Sequence, residues 1–166
     1  MAIDNTYLLE KLQTLLGDKL LSVDESFNMA AITVKKDTVL DVMQLLYNDS
    51  ELQFQFLTDL CGVHYPEQAD DLGVIYHLHS LTNNTRLRVR VFFNSASETV
   101  PSLTSLFKTA NWMERETFDF YGINFDGHPN MKRILNIDDM NYHPMLKQYP
   151  LEDASMIDKE DKYFGR

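Results

Sequence analysis

Two runs of alternating apolar and polar residues, joined by a polar turn, constrain the fold of this chain more than any other feature. They form the stretch "VIYHLHSLTNNTRLRVRVFF", residues 74–93. Strict alternation predicts two strands that each bury one face. Asparagine tolerates positive φ, so Asn83-Asn84 predicts a tight two-residue turn between them. We therefore expect an antiparallel β-hairpin at the centre of the fold.

This register would make one face of the hairpin apolar and the other cationic. It places His79 opposite Arg88 and His77 opposite Arg90, with Arg86 nearer the turn. The two histidines have the spacing of metal ligands on a strand, but opposing arginines disfavour a bound cation, and no cysteine or carboxylate completes the set. We expect no metal site here, and interpret the face as either solvent-exposed or a docking surface for an acidic partner.

The other elements follow from helical or alternating spacing of apolar residues. Helices are predicted over residues 4–16, from Asp37 or Thr38 through Tyr47, and over residues 101–121, where Pro101 fits the first turn and Gly122 stops the helix. Strands are predicted over residues 19–23, 28–35 and 52–60, with a polar link at "DES" between the first two. The order α-β-β-α-β-β-β-α predicts a two-layer α+β fold with one mixed sheet, a C-terminal helix and an extended tail.

The 166 residues, 44% of them hydrophobic, are sufficient for one domain with a real core. Residues 1–135 carry the predicted elements. Residues 136–166 contain seven acidic residues, two prolines and no sustained period. Such a segment is either disordered or ordered by lying on another surface, and we interpret it as an extended partner-binding tail.

Composition also excludes several classes of function. The net charge of −10 repels phosphate backbones and disfavours nucleic-acid binding. Cys61, the single cysteine, excludes an internal disulfide and an all-cysteine iron–sulfur or zinc site. The six glycines form no phosphate-binding loop, so flavin and nicotinamide sites have no support. No stretch approaches the 18 or so apolar residues that a membrane-spanning helix needs, and the N-terminus does not resemble a secretory signal.

The segment "ERETFDFYGINFDGHPNMKRIL", residues 114–135, holds the densest cluster of charged and special residues. We refer to it as the signature segment. On a helix, Arg115 and Asp119 are one turn apart and can pair, whereas Glu114 and Glu116 point about 200° apart. That geometry argues against a catalytic acid/base pair. The residues alone therefore predict a charged helix end on the surface, with no catalytic residue.

The signature segment resembles that of one subunit family, the subunit termed C of the proton-pumping NADH-quinone oxidoreductase, respiratory complex I. The matching residues are Glu114-Arg115-Glu116, Asp119, Phe120-Tyr121, His128, Lys132 and Ile134-Leu135. Upstream, "LTDLCGVHYP" and the order of elements also resemble the family. Two stretches depart from it. "NMKR" follows Gly-His-Pro where the family usually has Asp-Leu-Arg-Arg, and "HPMLKQYP" has Leu146 and Gln148 where an arginine and an aspartate are typical.

The resemblance implies a non-catalytic assembly subunit at the cytoplasmic face of a bacterial membrane, peripheral and attached only through the complex. FMN and iron–sulfur clusters would lie on other subunits, which pass electrons from NADH to quinone and couple this to proton translocation. The partners would be subunits of the peripheral arm, chiefly the quinone-site subunit, termed D. The residues that the resemblance implies at the partner interface are Glu114, Arg115, Glu116, Asp119, His128, Lys132, Arg133, His143 and Lys147.

Two other hypotheses remain at this point. The chain could be the equivalent subunit of a related membrane-bound hydrogenase or dehydrogenase, which neighbouring genes for NADH-input subunits would distinguish. Alternatively, it could be a freestanding domain that binds an anionic small molecule through His77, His79 and the arginines. A freestanding domain should bind its ligand in isolation, whereas an assembly subunit should not.

The sequence predicts that the purified chain carries no redox cofactor, because it has one cysteine and no nucleotide-binding loop. Absorption spectroscopy and metal analysis should show no visible band and no stoichiometric iron or flavin. A stoichiometric chromophore that survives gel filtration would contradict the prediction.

Overall fold

The computed structural model describes residues 3–95 and 99–149, which form three α-helices and seven strands. The helices are α1 (Asn5–Leu16), α2 (Val39–Asn48) and α3 (Ala110–Tyr121). The strands are β1 (Leu20–Ser26), β2 (Met29–Val34), β3 (Phe56–His64), β4 (Leu72–Ser80), β5 (Thr85–Phe93), β6 (Thr99–Pro101) and β7 (Asn124–Asp126). None of the helices within these ranges is long and apolar enough to cross a membrane.

Five strands form one mixed sheet in the order β1-β2-β5-β4-β3. The β2–β5 pair is parallel and the other neighbours are antiparallel. A parallel pair requires a crossover, and the chain makes it through α2, β3 and β4. Strands β6 and β7 form a separate parallel pair. The α+β fold with a mixed sheet, predicted from the sequence, is confirmed.

The hydrophobic core lies where the helices meet one face of the sheet. Alternate strand residues, such as Ile32, Tyr76 and Val89, are fully buried and join one cluster with Leu12 of α1 and Met43 of α2. This follows from the period of two along the strands and the apolar stripe along each helix. The ends of α1 also match the sequence: Asp4 caps its start, and Gly17 ends it at a φ of 47°.

The β4–β5 hairpin is present, but its predicted register is wrong by two residues. His79 lies opposite Arg86 and His77 opposite Arg88, because residues 81–84 form a four-residue turn. Of the two turn asparagines only Asn84 has positive φ, whereas a two-residue primed turn of type I′ requires it at both positions. An even shift keeps every side chain on its predicted face, so the apolar and cationic faces survive the error.

Three predicted boundaries are also wrong, each because local turn chemistry outweighs the apolar pattern. "DES" belongs to β1, and the turn that follows is Phe27-Asn28, both with positive φ. The strand predicted at 52–60 starts only at Phe56, since Gln53 adopts a φ of 47°. The predicted C-terminal helix starts at Ala110, because Pro101 ends β6 and residues 102–109 form turns that mimic helical spacing.

Residues 130–149 have no helix or strand and lie against α3 and β3; we call them the C-terminal segment. The backbone N–H of Met145 donates to the carbonyl of Phe120 at 3.1 Å, and that of Lys147 to Nδ1 of His64 at 3.0 Å. The Leu146 side chain packs on the core. Up to residue 149 the tail therefore lies on its own domain. The rest of the predicted tail, 150–166, is outside the described residues.

Candidate functional site

Two carboxylates of the signature segment, Glu114 and Asp119, are completely buried in α3 at 0% exposure. The predicted exposed, charged helix end is therefore wrong for these two residues. Both carboxylates bind groups of this chain, at opposite ends of the helix. Burying a carboxylate costs several kcal/mol unless it is well hydrogen-bonded, so their partners determine what they do.

Asp119 holds the start of the C-terminal segment. Its Oδ2 accepts hydrogen bonds from the backbone N–H groups of Ile134, Leu135 and Asn136, at 3.0, 2.8 and 2.9 Å. Its Oδ1 accepts from Nη1 of Arg133 at 2.6 Å and from the side-chain amide of Asn136 at 3.0 Å. Three successive N–H groups that converge on one oxygen form a nest of the kind that binds anions, here filled by the chain's own side chain.

These donors keep Asp119 ionised. Burial acts to raise the pKa of this carboxyl, but the backbone N–H groups of Asn136, Leu135 and Ile134 outweigh it. The Asn136 side chain adds to their effect, so the pKa lies well below the usual aspartate range. The opposite charge of Arg133 sits in the same cluster. A buried, ionised and fully hydrogen-bonded carboxylate is a structural group with no lone pair directed at a substrate.

The two arginines act on backbone carbonyls as well. Arg133 also donates to the carbonyls of Asp119, Met140 and Tyr142, at 3.1, 2.7 and 2.9 Å. The predicted Arg115–Asp119 pair is wrong, because Arg133 occupies the carboxylate. Arg115 instead donates to the carbonyls of Lys132 and Arg133, at 3.1 and 2.9 Å, and lies over the Trp112 ring. Both arginines therefore fix the C-terminal segment to α3.

Glu114 closes the other end of the helix. It accepts from the Ser102 hydroxyl and from the backbone N–H of Leu103, each at 2.7 Å. Burial raises the pKa of Glu114 to about 7, and these two donors offset only part of that effect. Sequence reasoning missed Ser102 as its partner, and the only signal for it is a hydroxyl one residue after the helix-like Pro101.

The hydroxyl of Tyr76 is buried near this carboxyl and has no hydrogen-bond partner within residues 3–95 and 99–149. Burial raises its pKa well above the usual value for tyrosine, and the charge of Glu114 adds to the effect. The phenol therefore stays neutral, and it makes an ionised Glu114 no easier to accommodate.

The two histidines of the segment are hydrogen-bonded within the chain. Nδ1 of His128 accepts from the backbone N–H of Asn130 at 3.0 Å, so its proton lies on Nε2, which donates to the Asn111 carbonyl at 3.1 Å. Nδ1 of His143 donates to the Asp119 carbonyl at 3.0 Å. A Cβ at Gly122 would come within 2.8 Å of the His143 ring, so this glycine, at a φ of 76°, permits the contact.

Three of the predicted interface residues, Glu116, Lys132 and Lys147, remain exposed and make no ion pair with another described residue. They are the members of the set whose charges are available to a partner. The interface role of these residues stays a prediction.

The described residues include no group of three or more His, Cys, Asp or Glu that could hold a metal ion. On the hairpin, Nε of Arg88 donates to Nε2 of His77 at 3.0 Å, which uses a nitrogen that a metal would need. The arrangement around α3 can hold segments of chain together, and it positions no nucleophile, base or electrophile toward open space.

The fold and this site define a class of protein: a small α+β domain whose most distinctive polar residues fix its own C-terminal segment. A sequence profile of the family described as "Respiratory-chain NADH dehydrogenase, 30 Kd subunit" matches residues 32–155. The chain belongs to this family, whose bacterial relatives carry the letter C among the subunits of NADH-quinone oxidoreductase. The resemblance seen in the sequence is confirmed.

Two of the relatives, both NADH-quinone oxidoreductase subunits with that letter, show how far the similarity extends. The one from Roseiflexus sp. (strain RS-1) is 40% identical, over 99% of this chain and 96% of the relative. The one from Citrifermentans bemidjiense is 39% identical, over 90% and 91%. Both matches cover almost the whole length of each protein.

Two solved structures share the fold. A trypsin-resistant fragment of Nqo5 (1-134) has a TM-score of 0.65 and 24% identity, over 77% of this chain and 99% of the fragment. A chain of the membrane-bound sulfane sulfur reductase, an archaeal respiratory membrane complex, has a TM-score of 0.75 and 16% identity, over 99% and 93%. At these identities the matches show the fold alone.

Asp119→Asn should lower the free energy of unfolding by about 3–5 kcal/mol at pH 7. Both carboxylate oxygens accept from N–H donors, so the new amide must turn its NH₂ group toward a donor in either orientation. Because the native pKa is depressed, the lost stability is present above the ordinary aspartate pKa, and the gap should shrink as the pH falls through it. Urea unfolding of the isolated chain measures this, with Asp139→Asn, at an exposed site, as the control. Equal losses in the two variants would contradict the role assigned to Asp119.

Glu114→Gln should remove a pH dependence from the stability. A carboxyl whose pKa is raised to about 7 on folding stabilises the native state fully below its unfolded pKa, and loses that contribution as the pH rises through 7. The stability of the wild type relative to Glu114→Gln should therefore fall by on the order of 3 kcal/mol from pH 4.5 to above 7. Urea unfolding across this range provides the measurement, with Glu116→Gln as the exposed control. A gap that stays constant with pH would contradict the assignment.

Proposed function

We propose that this chain is a non-catalytic structural subunit of an NADH-quinone oxidoreductase, bound at the cytoplasmic face of a bacterial membrane through its partners. The observation that carries the proposal is that the distinctive polar groups of the family segment bind this chain's own backbone. Asp119, Arg115 and Arg133 together hold the segment from Lys132 to Tyr142. Their role is to shape a surface.

In this proposal the electron carriers lie on other subunits. FMN accepts electrons from NADH there, iron–sulfur clusters pass them to quinone, and the complex couples the transfer to proton translocation. This chain contributes no ligand, which agrees with its single cysteine and with the internal hydrogen bonds of its histidines. Its mechanism is mechanical: it keeps neighbouring subunits in a fixed relative position.

The partner surface would be the outer side of α3 and the C-terminal segment. Lys132 and Lys147 are exposed there, as are the apolar side chains of Leu135, Ile137 and Met145. A mixture of exposed apolar and charged groups on a backbone held by buried hydrogen bonds is suited to a permanent contact between subunits. We propose the subunit that forms the quinone site as the main partner on this side.

A second candidate is the equivalent subunit of a related membrane-bound complex. The observation that favours it is the fold shared with a chain of the sulfane sulfur reductase, over nearly the whole length of both proteins. The freestanding anion-binding domain has less support, because Arg90 pairs with Asp24 and Arg88 donates to His77. Those contacts use much of the cationic face that a small anion would need.

Tagging the chain in its native host and purifying under mild detergent tests the proposal. The expected result is a membrane complex with NADH-quinone reductase activity that contains the NADH-input subunits. Hydrogenase or sulfur-reductase subunits in their place would favour the second candidate, and recovery of the chain alone would contradict both.

Reversing charge at the exposed lysines should weaken assembly without weakening the fold. Lys132→Glu combined with Lys147→Glu should reduce the assembled complex about tenfold on a native gel, while the isolated chain melts as the wild type does. Lys35→Glu, at an exposed lysine outside this surface, is the matched control. Wild-type amounts of complex in the double variant would remove these lysines from the interface.

A further inference from the structure

The turn between β1 and β2 presents an aromatic side chain that the fold itself does not use. Phe27 is 96% exposed, and it adopts a φ of 53° in a two-residue turn with Asn28, whose φ is 60°. Left-handed φ costs free energy for a residue with a bulky side chain, whereas Asn and Gly adopt it readily. An exposed aromatic in an unfavourable backbone conformation weakens the isolated domain twice, so its advantage must lie outside the domain.

This turn is held rigidly in place. The side-chain amide of Asn5, at the start of α1, donates to the carbonyl of Asn28 at 3.1 Å and to Oε1 of Glu25 at 2.9 Å. The backbone N–H of Ile3 donates to the hydroxyl of Thr85 at 3.2 Å, which ties the same end of α1 to β5. Phe27 is therefore displayed from a braced support, as a preorganised binding anchor would be.

The topology brings a second exposed apolar tip to the same end of the sheet. Strands β2 and β5 are parallel, so the turns that precede them lie side by side. The turn before β5 carries Leu81, which is 70% exposed. Between the two turns lies a groove of about 500 Å³, lined by Ile3, Asn5, Phe27, Asn28, Met29, Asn84, Thr85 and Arg86. We call this end of the molecule the hairpin-tip surface; it lies at the other end of β1 and β2 from Leu21 and Lys35.

The charge on this surface indicates the chemistry of the partner. Arg86 is exposed beside Phe27 in the groove and makes no ion pair with any residue of the described ranges. The neighbouring arginines differ, since Arg90 pairs with Asp24 and Arg88 donates to His77. A guanidinium next to an exposed aromatic is the combination that dominates protein interfaces, and it recognises a carboxylate in two-pronged geometry.

We propose that the hairpin-tip surface docks a second neighbouring subunit of the complex, through an apolar recess that receives Phe27 and a carboxylate that pairs with Arg86. A protein partner is favoured over a membrane surface, because a chain of net charge −10 is repelled by anionic lipids. This surface is separate from the signature segment, so the chain bridges two partners. The inference rests on the proposed function, because it requires the chain to be part of an assembled complex.

Phe27→Asn tests the inference, since asparagine suits the left-handed turn and removes the anchor. The isolated variant should melt no lower than the wild type, while the amount of complex that retains this chain through purification should fall about tenfold or more. Leu21→Asn is the matched control, because Leu21 is also well exposed but lies at the other end of the sheet. Arg86→Glu should reduce assembly as Phe27→Asn does, and Lys35→Glu should leave it unchanged.

A photoreactive phenylalanine at position 27 identifies what covers the surface in the complete complex. A cross-link to another subunit supports the proposal. A cross-link to lipid, a cross-link to a second copy of this chain, or normal assembly of Phe27→Asn would each overturn it. A lower melting temperature of the isolated Phe27→Asn variant would also overturn it, by showing that Phe27 serves the fold. If the tagged wild-type chain fails to purify with any complex, the proposed function fails first, and the inference falls with it.

Discussion

The structure depends on one carboxylate that is bound by the chain's own backbone. Asp119 gathers three successive N–H groups and the Arg133 guanidinium, and so fixes the point where the chain leaves α3 and β7 and becomes irregular. Without regular hydrogen bonding, residues 130–149 would have to offset roughly 1–2 kcal/mol of backbone entropy per residue by packing alone. The buried ion pair supplies a fixed start, and Arg115 and His143 extend it along the segment.

The two buried carboxylates of α3 have opposite electrostatic environments. Asp119 has at least four N–H donors and one cation, so it stays charged. Glu114 has two donors and no cation among the described residues, so its pKa rises to about 7. In an enzyme, such a split identifies an acid and a base. Here neither group faces a substrate cavity, and the same physics serves to attach the β6 loop and the C-terminal segment to one helix.

The sequence predicts the fold well where patterns are local, and fails where a partner is distant in the chain. Alternation in residues 74–93 and the apolar stripes of α1 and α2 were enough for the α+β class, since both depend on periodicity. The register of the hairpin was missed because Asn83 and Asn84 look equivalent as letters, whereas only Asn84 has positive φ. The burial of Glu114 and Asp119 was missed because their partners lie 11 to 17 residues away, and no spacing rule reports them. Family resemblance identified the right segment, but only the geometry shows that it acts inward.

Amide hydrogen exchange of the isolated chain tests most directly whether Asp119 organises the C-terminal segment. The N–H groups of Ile134, Leu135 and Asn136 belong to no helix or strand, yet each donates to the buried carboxylate. They should exchange about tenfold or more slowly than the amides of Asp138 and Asp139, because exchange requires local opening of the Asp119 cluster. Exchange of all five amides at the same unprotected rate would show that the carboxylate does not hold the segment, and would contradict the account.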